Sequence, residues 1–323
     1  METMITVAKN SNNAEFIKYA HSLGVRLFRF NMDYKEQALS AIKNVRAQKY
    51  DDALLFADFQ GVKMRLRLKP EENNIEVHTG DNLTISTTPD SFPYITNFNT
   101  IREYIEEGQN IGFSDGKVSG IITKVDESEI TIQLTQVNYV LMQNAGVSIT
   151  GNGIPAPHMT TEACSLIANS EIIRRQLIDW VILSFTDSAE EIRDFANAMH
   201  KKGIKVMAKI ETPNGVKHIA DIAKVVDGFM LGRGDLTSTS GEQYKKLYHD
   251  ALISMSKTEN LFNGVGTFFL SHYSKTREVM DYEIKDVEEV KLYGFDYIML
   301  SKEVVNSNYP NETLKLLQKI CKK

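Results

Sequence analysis

Cysteine is almost absent from this chain, with two in 323 residues, Cys164 and Cys321. They form no metal-ligand spacing and no disulfide framework, so both are expected to be reduced structural thiols of a cytoplasmic protein. No secretory leader is expected, since Met1-Glu2-Thr3-Met4-Ile5-Thr6 has neither a basic region nor an apolar core. No apolar run reaches the roughly 18 residues of a membrane span, so no membrane partner is expected. An excess of one charge is also lacking. Lys and Arg number 37 against 42 Asp and Glu, a net charge of −5. That speaks against bulk nucleic-acid binding while leaving room for a local basic pocket. Internal repeats, low-complexity tracts and long charge blocks are absent as well.

What is present is an alternation. Short apolar runs at 4–8, 26–31, 53–58, 180–185, 205–210, 228–233, 264–269 and 296–300 read as strands. Helix periodicity lies between them. Residues 36–48 put Leu39, Ile42 and Val45 on one face, and Ser188 with Glu191 and Ser240 with Gln243 read as capping boxes. A final helix is expected over 311–321. Eight β-then-α units predict an α/β fold, a parallel (β/α)8 TIM barrel.

One stretch breaks the rhythm. Residues 70–153 carry short alternating runs such as Ile75-Glu76-Val77-His78, Leu83-Thr84-Ile85 and Ile130-Thr131-Ile132-Gln133-Leu134, separated by turn signals at Gly80-Asp81 and Asp115-Gly116. This predicts a small all-β domain, a β-barrel lid, inserted after the third barrel strand. The barrel domain is then 1–69 with 154–323. Pro70 and Gly151-Asn152-Gly153-Ile154-Pro155 are the expected hinges.

In a barrel the C-terminal strand ends share one mouth, and function gathers there. The ends are polar after apolar runs: Arg29, Asn31 and Asp33; Asp58, followed by Lys63 and Arg65; Ser184; Lys209 and Glu211; Arg233, Gly234 and Asp235; Thr267; Ser301. Lys209 and Glu211 are two residues apart, which on a strand puts them on one side, and Arg233 and Asp235 repeat that spacing. Two carboxylates on neighbouring strand ends can hold a divalent metal, and Lys and Arg beside them can hold a phosphate or carboxylate.

These residues resemble a known family. Lys209-Ile210-Glu211, Asp227-Gly228-Phe229-Met230, Arg233-Gly234-Asp235-Leu236 and Met299-Leu300-Ser301 with Glu303 are similar, in that order, to the signatures of pyruvate kinases. Asp58-Phe59-Gln60-Gly61-Val62-Lys63-Met64-Arg65 is similar to the family's Asp-x-x-Gly-Pro-x-Ile-Arg. Arg29-Phe30-Asn31-Met32-Asp33 half keeps its Arg-x-Asn-x-Ser. The resemblance covers nearly the whole chain and implies the same inserted β domain. It implies Mg2+ (or Mn2+) on Glu211 and Asp235, and Lys209 neutralising a phosphoryl group and an enolate. Arg29 and Arg65 would grip the substrate. Gly234, Asp235 and the Thr237-Ser238 amides would seat its carboxylate. Thr267 and Ser301 would lie on the proton-transfer side. The implied partners are small molecules, phosphoenolpyruvate or pyruvate with ADP or ATP.

The chain also departs from that pattern. Asp33-Tyr34 replaces a Ser-His, and Lys63 replaces a Glu. A tethered ammonium can supply the charge of a monovalent cation, so Asn31, Asp33, Asp58 and Lys63 are read as the K+ site or its substitute, with K+ not required. Thr150 stands in place of a hinge Lys, and Thr186-Asp187 in place of the family's x-Arg after Ser-Phe. Val279-Met280-Asp281-Tyr282-Glu283 differs from a subunit-contact segment, and a C-terminal regulatory domain is not expected, which points to a monomer or homodimer. Three readings stay open: a K+-independent pyruvate kinase, a paralogue using the enolate for aldolase- or lyase-type chemistry, and a non-catalytic binder of phosphoenolpyruvate or pyruvate.

Overall fold

The computed structural model describes residues 1–8, 11–61, 63–114, 116–150 and 158–322. The readings made on Asp115 and on the hinge at 151–155 fall outside them. The chain divides into two compact units, Met1–Gly61 with His158–Lys323, and Val62–Pro157.

The first unit is a closed barrel of parallel strands: β1 (Glu2–Thr6), β2 (Leu27–Asn31), β3 (Leu54–Phe59), β4 (Trp180–Leu183), β5 (Lys205–Ile210), β6 (Gly228–Gly232), β7 (Phe262–Gly266) and β8 (Tyr297–Leu300). They neighbour one another in chain order, and β8 closes onto β1 with Met4 opposite Met299. Helices fill the connections, and side-chain oxygens of Asn13, Thr160 and Ser188 cap three of them by accepting from free first-turn amides.

Alternation along the strands sorts the side chains. Outward residues such as Phe28, Leu55, Val181, Val206 and Ile298 join the helices in the main core. Inward residues Met4, Leu27, Phe56, Ile182, Met207, Met230 and Tyr297 make a separate apolar plug. Tyr297 fits because Gly264 is opposite: a Cβ there would sit 2.3 Å from the Tyr297 ring. Its hydroxyl donates to the Phe229 carbonyl at 3.1 Å. Period two then makes the next inward positions Thr6, Arg29, Asp58, Ser184 and Lys209. All five are polar and buried. At the opposite end, Asp179, Asp227 and Asp296 accept the amides of Leu55, Val206 and Asn263 on neighbouring strands.

Several expectations change. The seventh strand is 262–266, not 264–269: Thr267, Phe268 and Leu270 have positive φ (74°, 71° and 52°), which no strand accommodates. The first strand is 2–6 rather than 4–8. The sixth ends at Gly232, and Arg233 opens the helix Arg233–Ser240. Ser240 makes no side-chain cap, and a 3-10 turn, Gly241–Gln243, precedes the helix Tyr244–Ser256.

The second unit is all β. Its seven-stranded sheet runs in the order Val147–Thr150, Asn110–Phe113, Val118–Val125, Glu129–Val137, Asn82–Ser86, Tyr94–Ile95, Leu66–Arg67. The two end strands are joined by an Arg65–Gly146 bridge and by Val147 N donating to the Met64 carbonyl at 3.1 Å. Residues 63–69 belong here rather than with the barrel, because Met64, Leu66 and Leu68 are buried in this unit's own core.

Candidate active site

β5 delivers Lys209 into the barrel mouth, and the chain leaves the strand one residue later, so Glu211 falls on the same inward side. The Lys209 Nζ lies 2.7 Å from Glu211 Oε1 and 3.7 Å from Asp58 Oδ2. Asp58, at the end of β3, is fully buried. It accepts from Arg29 Nε at 2.8 Å and from the Ser184 hydroxyl at 3.1 Å. Arg29 Nη1 donates to the Thr6 hydroxyl at 2.9 Å. Five strand ends thus meet in one charge network.

Burial alone would push the Asp58 carboxyl up. Lys209, Arg29 and the Ser184 hydroxyl outweigh it, so Asp58 is held below the usual carboxylate range. Burial likewise pulls the Lys209 ammonium down. Asp58, Glu211 and Asp235 more than reverse this, and Lys209 stays charged. Glu211 goes the other way: burial pushes its carboxyl up and Asp235 adds to the effect, against the pull of Lys209.

Asp235 lies close enough to Glu211 to disfavour its charge, so two carboxylates crowd one place. Phe185 N donates to Glu211 Oε2 at 3.0 Å. Glu211 Oε1 is buried, and Lys209 approaches it as an ion contact without aligned hydrogen-bond geometry. Gly232 makes space for this carboxylate, since a Cβ there would lie 2.7 Å from Glu211 Cγ. An oxygen without an aligned donor, beside a second carboxylate, fits a small hard cation. Among the described residues no group of three or more His, Cys, Asp or Glu forms a metal cage. Water and substrate oxygens would have to complete the coordination, as Mg2+ tolerates.

Arg233 is not a ligand-facing residue. It starts a helix, so strand parity does not extend to Asp235. The Arg233 guanidinium packs 3.9 Å from the Phe269 ring centroid, donates to the Gly266 and Thr267 carbonyls, and pairs with Asp286 at 2.5 Å. Gly234 and Asp235 lie in the first helical turn, where amides are free. Thr237 and Ser238 lie beyond it, and their hydroxyls donate to the Arg233 and Gly234 carbonyls. Thr267 follows β7, beside Gly234. Ser301 precedes the short helix Lys302–Val305, and its hydroxyl makes no cap. Asn31 accepts from the Asp33 amide at 3.0 Å.

Lys63 and Arg65 lie in the second unit beside Gly146. Two residues of the network had no role from sequence, Thr6 and Ser184. Their signal was positional: each ends or follows a barrel strand on its inward parity. Cys164 and Cys321 are buried and free, and burial pushes the Cys164 thiol up to about 12.

The fold and this network define a (β/α)8-barrel protein with an all-β insert after its third strand and a Lys–carboxylate centre at the strand ends. Residues 1–314 match the family model of the pyruvate kinase barrel domain. The chain belongs to the pyruvate kinase family. It is 25% identical to the pyruvate kinase of Thermococcus litoralis, covering 98% of this chain and 68% of that protein. Against the pyruvate kinase of Thermotoga maritima it is 24% identical, covering 98% and 69%. The crystal structure of Cryptosporidium parvum pyruvate kinase superposes with a TM-score of 0.85 at 20% identity, over 99% of this chain and 69% of that one. The chain thus spans about two thirds of the length of these relatives. No helix among the described residues is long and apolar enough to cross a membrane.

Proposed function

We propose that the protein is a Mg2+-dependent phosphotransferase that moves a phosphoryl group between phosphoenolpyruvate and ADP, giving pyruvate and ATP without K+. The observation that carries this reading is the buried Lys209 ammonium set among Asp58, Glu211 and Asp235. Two cations, Arg29 and Lys209, meet three carboxylates there. A divalent ion on Glu211 and Asp235 would turn that balance positive and suit a small polyanion; bound there, it supplies Lewis-acid polarisation of substrate oxygens.

The chain's own groups do the rest. Lys209 is preorganised, its charge fixed by neighbours, and stabilises negative charge on the phosphoryl oxygens in transfer and on the enolate left behind. Arg29 orients the phosphoryl group with guanidinium N–H groups not spent on Asp58 and Thr6. The first-turn amides of Gly234 and Asp235 receive the substrate carboxylate. Thr267 and Ser301 serve the proton delivered to the enolate carbon.

A coupled assay with phosphoenolpyruvate, ADP and Mg2+, with and without K+, tests the reading. Lys209→Met is expected to lower kcat about 10^3-fold, in line with loss of a preorganised electrostatic group. ATP formation in neither salt would overturn the kinase reading. A second reading, a paralogue that handles the pyruvate enolate for other chemistry, is favoured by Asp187, a buried acid where the resemblance places an Arg. It expects Mg2+-dependent deuterium exchange from solvent into the pyruvate methyl group with no ATP formed.

A further inference from the structure

Asp187 follows β4 outside the charge network, buried and used by none of the steps above. It accepts a hydrogen bond from the Thr212 hydroxyl. Thr212 is the residue after Glu211. Its hydroxyl oxygen also accepts from Gly215 N at 2.9 Å and so caps the helix Pro213–Lys217. Gly215 is the close neighbour that makes this possible: a Cβ there would lie 2.9 Å from the Thr186 carbonyl and 3.1 Å from the Asp187 carboxylate.

The same turn holds the adjoining residues by its backbone. Phe185 N donates to Glu211 Oε2 at 3.0 Å, and Thr186 N to the Lys209 carbonyl at 3.3 Å. Phe185 sits at φ 55°, a conformation a bulky residue holds only when its surroundings enforce it. Residues 185–187 therefore grip 209–212 at three successive points, and Asp187 is the only one of the three that does so by a side chain.

We infer that Asp187 is a positioning residue: through Thr212 it sets the backbone after β5 and thereby the direction in which Glu211 presents its carboxylate. This rests on the proposed metal role of Glu211. Groups that orient a metal-binding side chain typically contribute about 10- to 100-fold to metal affinity.

The experiment measures Mn2+ binding to the full chain by titration with electron paramagnetic resonance detection, without substrate or turnover. Asp187→Ala and Thr212→Val are each expected to weaken Mn2+ binding by about tenfold or more. Thr212→Ser keeps the hydroxyl and should bind like the wild type, and Asp187→Asn, which still offers an acceptor, should fall between. Asp227→Asn, at the opposite end of the barrel, controls for general loss of stability: its melting temperature should fall while Mn2+ affinity stays unchanged. If Thr212→Val binds Mn2+ as the wild type does while both Asp187 variants lose equally, only long-range charge is acting and the positioning role is overturned. It is overturned likewise if Asp187→Ala binds normally. Wild-type protein that binds no Mn2+ would instead sink the metal role of Glu211, a different failure from either of these.

Discussion

At the scale of single residues, charge and burial oppose each other in the barrel mouth, and the balance differs from group to group. Asp58 is fully buried yet kept ionised by Arg29, Lys209 and Ser184. Removing it strands two buried cations, so Asp58→Ala should lower unfolding free energy by about 3–5 kcal/mol, measured by urea denaturation. A loss below about 1 kcal/mol would mean that the network is already open to water. Glu211 shows the reverse linkage. Its carboxyl is pushed from 4.5 to about 8 by burial and by Asp235, against Lys209. The folded, metal-free chain then holds a proton that the unfolded chain has released. Its contribution to stability is intact below the unfolded value and declines as pH rises to the folded one. A bound divalent ion competes with that proton, so metal stabilisation should grow with pH across the same window. Thermal melts of wild type and Glu211→Gln, with and without Mn2+, check both signs. Identical pH slopes in the two proteins would show that Glu211 does not titrate there.

At the scale of elements, strand ends and the turns after them divide the work. β7 stops at Gly266, and the following turn places Thr267 in the left-handed region, where a β-branched residue is strained by about 1–2 kcal/mol. Arg233 holds that turn by its carbonyls, with Asp286 as its counter-charge. Thr267→Gly should therefore raise unfolding free energy by about 1 kcal/mol. It should also lower turnover by about 10^2-fold if the hydroxyl takes part in proton transfer. Calorimetry with the coupled assay reads both; a variant that is neither more stable nor less active contradicts the assignment. Val265, Phe268, Phe269 and Leu270 make an apolar run, but Phe269 packs on the Arg233 guanidinium instead of extending a strand. Ser240 caps no helix either, because the 3-10 turn Gly241–Gln243 intervenes before the helix Tyr244–Ser256.

For the molecule as a whole, the barrel and the inserted β unit each have a core of their own. The inserted unit carries the residue on which the monovalent-cation prediction turns. Lys63→Glu removes the tethered ammonium and should create K+ dependence, a rise in kcat/KM of about tenfold or more on adding K+, equivalent to about 1.4 kcal/mol. Unchanged activity with and without K+ in that variant would remove the support for an internal cation.

Most of the architecture was determined by the chain locally. Alternation at period two, helix periodicity between the runs, and polar residues where each run stops are properties of neighbours in sequence, and they suffice for a (β/α)8 barrel with an all-β insert and a charged mouth. Lys209 and Glu211 were legible for the same reason, since two residues along a strand face one side. Contacts between distant residues were not. Asp58 and Ser184 lie 126 positions apart, and Asp58 draws Arg29 from another strand end. Only closure of the barrel brings them together, spends part of Arg29 on Asp58 and Thr6, and turns Arg233 away toward Asp286. Burial decides the rest. A carboxylate is ionised or protonated according to what surrounds it, and its surroundings exist only once the chain is folded.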